Sequence, residues 1–438
     1  MRNIALLISL LLALPSIIVA QESDNQLDIN LQMLEHGEMR IGGISPTNGE
    51  ETYAPKNAYF LMSRTRLNID YKRSGLETKV TAQHSGVWGQ KGQGSFNIHE
   101  AWARLNMKNG MFAQIGRQAL SYDDERIIGP NDWAMAALSH DVLKLGYEGH
   151  GHKAHAILGF NQNAENIYGG TYYMDGAKPY KSMLVGWYHF DVPKLPLGIS
   201  AIAMNIGMQA GDKEGKGGNA PRTENQQLVG GYVSFHPKRW TIEASYYHQL
   251  GKDEHGLKID AWMASVAANA QLNSWLNVAA GYDYLSGDEY FALTPSGQFG
   301  IVRHQTIKGF NPIYGSHHKF YGMMDFFYVS TYLFGFTPGL QNLYAGGDFT
   351  PVKGLKLKAR YHYLSIATNL RDVNKTLGHD VDLEVSYQLM KDVRLSAGFS
   401  YMTGTETMEK LKRANNTGHL NWGWFSLIFS PKIFSTKW

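Results

Sequence analysis

Between Leu355 and Glu384 the chain carries two short ladders of charge, Lys356, Lys358 and Arg360 at alternate positions and then Asp380, Asp382 and Glu384 at alternate positions. Side chains two apart share one face of an extended strand, so each ladder is a row of a single sign. Rows of opposite sign facing each other across a wet passage would impose a transverse field and select what moves between them. Rows that pair with each other would brace a wall instead. The same parity places Arg64, Arg66, Asp70, Glu77, Lys79, Glu100, Arg104, Lys144, Glu148, Glu243, Asp283 and Arg394 on the polar face of their segments.

Other residue types invite catalytic readings. The acid pairs Asp123/Asp124 and Asp380/Asp382 could act as polysaccharide-cleaving carboxylates, but neighbouring loop residues need not converge. The chain has no Gly-x-Ser-x-Gly elbow, no His-Glu-x-x-His and no phosphate-binding glycine loop, so a Ser-His-Asp hydrolase on a barrel wall lacks its sequence mark and no catalytic residue is assigned. His150, His152 and His155, and the pair His317-His318, lack carboxylates at ligand spacing and read as ordinary histidines. Neither metal nor cofactor is expected.

The elements that must carry these residues are strands. From Trp240, apolar Trp240, Ile242, Ala244 and Tyr246 interleave with Thr241, Glu243, Ser245 and Tyr247. The period returns in Val381, Leu383, Val385, Tyr387 and Leu389, restarts after Met390-Lys391-Asp392 with Val393, Leu395, Ala397, Phe399 and Tyr401, and recurs around Leu355, Val278 and Leu27. Alternation of this kind predicts strands with one apolar and one polar face. Each run is about ten residues, the length with which a tilted strand crosses a bilayer, and counting them gives about 18 strands.

Short turns such as Val192-Pro193-Lys194 and His236 to Arg239 alternate with long loops at 210–226, 287–319 and 403–416. That asymmetry is expected of outer-membrane barrels, with short periplasmic turns and long external loops. Aromatic residues at the run ends, Tyr282 and Tyr284, Tyr361 and Tyr363, and Trp422, Trp424 and Phe425, suit an interfacial girdle. The strand at 420–429 should close on the first. With the apolar stripe toward lipid, the charged stripe lines the lumen, because a lipid-facing Arg or Lys near the midplane costs about 2 to 4 kcal/mol.

At the start of the chain one charge, Arg2, precedes an apolar run from Ile4 to Val19, and Ile18-Val19-Ala20 offers a small-residue cleavage site. Residues 1–20 therefore read as a signal peptide and 21–438 as the mature barrel. Export agrees with the absence of cysteine, which also excludes disulfides and thiolate chemistry. Loss of Arg2 takes the net charge from +3 to +2, too close to balance for a nucleic-acid partner. A soluble sandwich or propeller would also alternate, but a propeller would show a repeat of about 40 to 50 residues, and none is visible. A surface adhesin with a plugged lumen keeps every one of these features.

The segment from Gly116 to Trp133, Gly-Arg-Gln-Ala-Leu-Ser-Tyr-Asp-Asp-Glu-Arg-Ile-Ile-Gly-Pro-Asn-Asp-Trp, packs two arginines, several acids and an aromatic pair behind a strand. It resembles the signature of the bacterial alginate-export family of outer-membrane porins, as do Arg64-Thr65-Arg66-Leu67, His99-Glu100-Ala101-Trp102, Ser139-His140-Asp141, His318 to Asp325 and Leu377 to Leu383. Asp123-Asp124-Glu125 departs from the Gly-containing turn of that pattern, and the lumen charges are mixed in sign. The resemblance implies an 18-stranded barrel passing an anionic uronate polymer, with Arg64, Arg66, Arg117 and Arg126 contacting its carboxylates. The expectation is an all-β antiparallel outer-membrane barrel, embedded in lipid and lipopolysaccharide, whose lumen (Arg64, Arg66, Glu100, Arg104, Arg117, Arg126, Lys356, Lys358, Arg360, Asp380, Asp382, Glu384) passes a saccharide or small anion, with periplasmic export or surface-degradation proteins as further partners. A general small-solute porin is the alternative.

Overall fold

A computed structural model describes residues 25–42, 57–92, 94–162, 180–211, 220–288, 292–293, 299–300, 306–325, 327, 337–370, 373–412 and 420–438. The signal peptide read at residues 1–20 lies outside them. Eighteen strands form one closed antiparallel barrel: β1 (Gln26–Ile41), β2 (Ala58–Arg73), β3 (Leu76–Val87), β4 (Ser95–Asn106), β5 (Met111–Gln118), β6 (His140–Gly149), β7 (His152–Phe160), β8 (Ser182–Asp191), β9 (Leu197–Ala210), β10 (Arg222–Phe235), β11 (Trp240–Lys252), β12 (Lys258–Gln271), β13 (Leu276–Leu285), β14 (Leu340–Val352), β15 (Leu355–Ser365), β16 (Thr376–Met390), β17 (Val393–Gly404) and β18 (Leu420–Phe429). Each pairs with the next in sequence, so no long crossover is needed. The β18 strand closes the ring on β1, with Met33 opposite Phe429 and Ile41 opposite Asn421.

A further strand, β19 (Lys432–Lys437), continues β18 past Pro431 and pairs with the start of β1. Proline has no N–H to give a ladder, which fits its place at this break. At one end of the barrel every connection is a tight turn, as at Lys353-Gly354, where Gly354 has φ 87° in the left-handed region that such two-residue hairpins demand. The other end carries the long connections, including those between β5 and β6 and between β13 and β14. Among the described residues the helices are a turn at His317–Lys319 and α1 (Glu406–Lys412), neither of a length to cross a membrane.

Alternation sorts side chains as the sequence predicts. Leu67, Ile115, Leu184, Ile199, Leu343 and Leu383 point outward and remain 38% to 62% exposed, whereas Arg64, Arg66, Glu100, Asp283, Asp380 and Asp382 point inward and are buried. A continuous apolar outer band of this kind is stable only against lipid or another apolar surface. The girdle expectation needs one correction. Phe425 is outward and 46% exposed, but Trp422 and Trp424, on the opposite parity, are buried in the lumen.

Candidate functional site

Two segments leave the wall at the long-loop end and fold into the lumen. The first, residues 119–139, follows β5; the second, residues 309–325, belongs to the connection between β13 and β14. They meet through a short parallel bridge at Ile128 and Tyr314. Gly129 N donates to Tyr314 O (2.8 Å), and Ser316 N to Glu125 O (2.9 Å). The approach is close enough that a Cβ on Gly315 would lie 2.3 Å from the Arg126 carbonyl oxygen, so glycine is the residue that fits. Leu120, Ile127, Ile128, Phe310, Tyr314, Tyr321, Met323 and Met324 of these segments share one apolar core with Ile157, Val185, Ile202, Met204 and Met263 on the inner wall.

Charge fixes the segments in place. Arg126 is fully buried between Asp283 (3.1 Å) and Asp124 (3.1 Å), donates to the Tyr321 hydroxyl (2.9 Å) and lies over the Phe320 ring at 4.0 Å. Burial alone would lower the affinity of this guanidinium for its proton, but the Asp283 and Asp124 carboxylates outweigh it and hold the value well above the usual arginine range. Burial also raises Tyr321. Burial likewise opposes ionisation of Glu125, yet the Lys319 ammonium at 2.6 Å and the hydroxyls of Ser121 and Ser316 prevail and hold it below the usual carboxylate range. Asp123 goes the other way, pushed up by burial, which outweighs the hydrogen bonds it accepts from Trp187 and Ser200.

Arg64 and Arg66 face inward as read from the sequence, but they lie beneath the first segment. Their guanidinium groups meet the two oxygens of Asp132 at 3.3 Å and 2.6 Å. Glu100 binds Lys79 (2.7 Å), and Arg104 lies over the Phe112 ring at 3.6 Å. Arg117 stands apart from this set. It shares the outward parity of Ile115, forms a two-pronged pair with Asp141 (2.8 and 2.9 Å), and so reaches neither the lumen nor the other arginines.

The charge ladders are not opposed across the lumen. They sit side by side on β15 and β16, with Lys358 opposite Glu384, Arg360 opposite Asp382 and His362 opposite Asp380, because consecutive strands of this barrel are nearest neighbours. Asp380 and Asp382 are covered by the second segment. Met323 N donates to Asp382 at 2.9 Å, Ser400 donates to the same carboxylate, and a Cβ on Gly322 would lie 2.6 Å from an Asp380 oxygen. Arg360 pairs with Asp348 (2.8 Å). Lys356 stands near the short-turn end, exposed.

What stays open is a chamber of about 360 Å³ between the inward segments and the short-turn half of the wall. Arg126, Lys319, Lys358 and Arg360 bring positive charge to it, Asp124, Glu243, Asp283, Asp382 and Glu384 negative charge, and Tyr232, Phe320 and Tyr344 aromatic surface. The volume falls in the range of small-ligand sites. Sequence reasoning found Lys358, Arg360, Glu243 and Glu384 by parity. It did not single out Lys319, Tyr232 or Tyr344, whose roles depend on a loop turning inward.

The catalytic readings dissolve in the geometry. Asp123 turns to Trp187 and Asp124 to Arg126. Two Ser–His–carboxylate rows do occur, Ser426–His36–Glu38 and Ser200–His189–Asp191. In each, serine and histidine stand directly opposite on adjacent strands and the carboxylate lies two residues along the histidine's strand; both serines are buried, so the rows act as cross-strand ties. His152 bonds Tyr188 on the outer face while His155 meets Tyr122 and Glu148 inside. Among the described residues no three potential ligands converge on a metal position.

No family model matches the chain, and no curated protein matches its sequence. Solved structures do match the fold. A BenF-like porin from Pseudomonas fluorescens aligns with TM-score 0.59 at 13% identity, covering 93% of this chain and 99% of that one. OpdO of Pseudomonas aeruginosa aligns with TM-score 0.60 at 12% identity over 94% and 98%. OccK2 (OpdF) of the same organism, solved in complex with glucuronate, aligns with TM-score 0.59 at 12% identity over 93% and 98%. The chain thus has the 18-stranded fold of outer-membrane porins, and the structures it resembles are channels.

Proposed function

We propose that this chain is an outer-membrane channel of a Gram-negative cell, delivered by cleavage of residues 1–20, that passes a small carboxylate-bearing, sugar-like solute through its narrowed lumen. The observation that carries this reading is the chamber itself, where Lys358, Arg360 and Lys319 stand beside Glu243 and Glu384 with Tyr232 and Tyr344 close by. Cations can hold a carboxylate, the two glutamates can accept hydroxyl protons, and aromatic faces suit the apolar side of a sugar ring. A chamber of about 360 Å³ favours a monomer or short oligomer over a bulky polymer. The resemblance to the alginate-export signature and the glucuronate held by one structural neighbour point to the same ligand class, uronates. Lipid and lipopolysaccharide would surround the barrel.

A general small-solute channel is the second reading, favoured by the presence of both charge signs in the chamber. Block of the current through the purified barrel in planar bilayers separates the two. A uronate channel is blocked by glucuronate at lower concentration than by glucose. Equal block by both leaves the general channel.

A further inference from the structure

The Arg64–Arg66 pair holds a feature that a simple wall brace does not require. Two guanidinium groups share one carboxylate, that of Asp132, at 3.3 Å and 2.6 Å. The arginine side chains are 3% and 9% exposed, whereas the Asp132 side chain is 50% exposed. Arg64 also donates to the carbonyl oxygens of Asp132 (2.9 Å) and Ala134 (3.1 Å) and to Gln32 (3.1 Å), and Arg66 Nε donates to Gln83 (2.7 Å). Even so, Arg64 Nε and one terminal nitrogen of Arg66 are buried without a hydrogen-bond acceptor among the described residues. Two guanidinium charges meet one carboxylate, two of their nitrogens are left over after the neutral acceptors are counted, and the part of this ion cluster most open to water is the anion.

That anion arrives on the inward segment rather than on the wall. Asp132 is followed by Trp133, which lies flat on His318 of the second segment, and Gln83 holds the same stretch through the carbonyls of Met135 (3.3 Å) and Ala136 (3.1 Å). The carbonyl contacts anchor the backbone whatever becomes of the carboxylate. A carboxylate between two guanidiniums, half in water and carried by a separately anchored loop, is the arrangement a bound solute carboxylate would make.

We propose that Arg64 and Arg66 form a carboxylate-binding site that Asp132 occupies from within the chain, and that a carboxylate-bearing solute takes Asp132's place during passage. Asp132 then sets specificity. It raises the concentration of anion needed to engage the arginines and leaves neutral solutes unaffected. This rests on the channel reading above, and binding measurements keep the two apart.

The test uses the full-length folded barrel in detergent and titrates glucuronate, acetate and glucose by calorimetry against the wild type, Asp132→Asn, Asp132→Ala and Asp132→Glu. The near-isosteric asparagine is included in case the alanine variant does not fold, and folding is checked by circular dichroism. Freeing the pair from its internal anion should tighten glucuronate and acetate binding by about tenfold in the Asn and Ala variants, the scale of one charge-assisted hydrogen bond. Asp132→Glu should bind as the wild type does, glucose should not respond, and adding Arg66→Ala to Asp132→Asn should abolish the gain. Unchanged glucuronate affinity in a folded Asp132→Asn barrel, or a gain that survives Arg66→Ala, overturns the proposal. A barrel that carries no current yet shows the gain overturns the channel reading and leaves the binding site standing.

Discussion

The indole of Trp133 lies flat on the imidazole of His318, ring centroids 3.8 Å apart and planes within 7°. It joins the two inward segments across the lumen, beside the Ile128–Tyr314 bridge and the Glu125–Lys319 pair. Trp422 and Trp424 of β18 meet Trp133 edge-on from the wall, at 6.0 Å and 4.8 Å, and Trp422 donates to Glu38 at 2.9 Å. The narrowing of the barrel is therefore built on aromatic packing as well as on charge.

Trp133→Ala should loosen the narrowing without opening the barrel. Aromatic pairs contribute about 0.5 to 1.5 kcal/mol each beyond their buried area, and this ring belongs to four, with His36, His318, Trp422 and Trp424. Single-channel recording should show a larger and noisier conductance than the wild type, with β content unchanged by circular dichroism. A conductance step of unaltered size would contradict a role for this ring in the narrowing.

Arg126→Met removes one member of a buried cluster and leaves the Asp283 and Asp124 carboxylates facing each other without their cation. Breaking a buried pair from one side costs about 3 to 5 kcal/mol. The urea midpoint should fall accordingly, and Arg126→Met combined with Asp283→Asn should recover part of the loss. Equal midpoints for the single variant and the wild type would contradict the clasp.

Outer and inner faces should respond oppositely to the same substitution. Leu383→Arg places a cation on the lipid side near the middle of β16 and should destabilise the folded barrel in bilayers by about 2 to 4 kcal/mol. Glu384→Arg, one residue on and facing the chamber, should fold with nearly wild-type stability and shift ion selectivity toward anions. Similar costs at the two positions would refute the assigned parity.

The bond between Glu125 and Lys319 gives the narrowing a pH dependence. Since Glu125 is held below its ordinary value of 4.5, its contribution is fully present above that value and is lost as the pH falls through the lower value it has in the lumen. Asp123, pushed up by burial, protonates earlier on the way down. Current noise should therefore rise only well into the acid range, and Glu125→Gln should show the same noise already at neutral pH. A wild-type profile flat through the acid range would count against the bond's role.

The sequence was most legible where the lumen is wet. On β11, β15, β16 and β17 an apolar outer face alternates with Glu243, Lys358, Asp382 and their neighbours, and both parity and hairpin register could be read directly. It was least legible on β8 and β9, where inward Met183, Val185, Ile202, Met204 and Ile206 are as apolar as the outward residues. There the inner wall packs against the inward segments, so both faces are greasy and the period vanishes. Strand order followed from turn lengths, but that the two ladders lie on adjacent strands was missed, because opposite charges at matching parity look the same whether they face across a pore or side by side. Arg117 went astray for a related reason. A motif places residues in sequence, while the face is decided by a count that must be carried from a known strand, and Ile115 puts Arg117 outside.

The most direct test of the account asks whether solute travels past Lys358. The chain has no cysteine, so Lys358→Cys offers a single thiol, and a negatively charged thiol reagent can be added while current flows through the open channel. The account predicts a stepwise fall in current on labelling, slowed by glucuronate, and none in a Leu383→Cys control facing lipid. Full labelling at 358 with no change in current would contradict it.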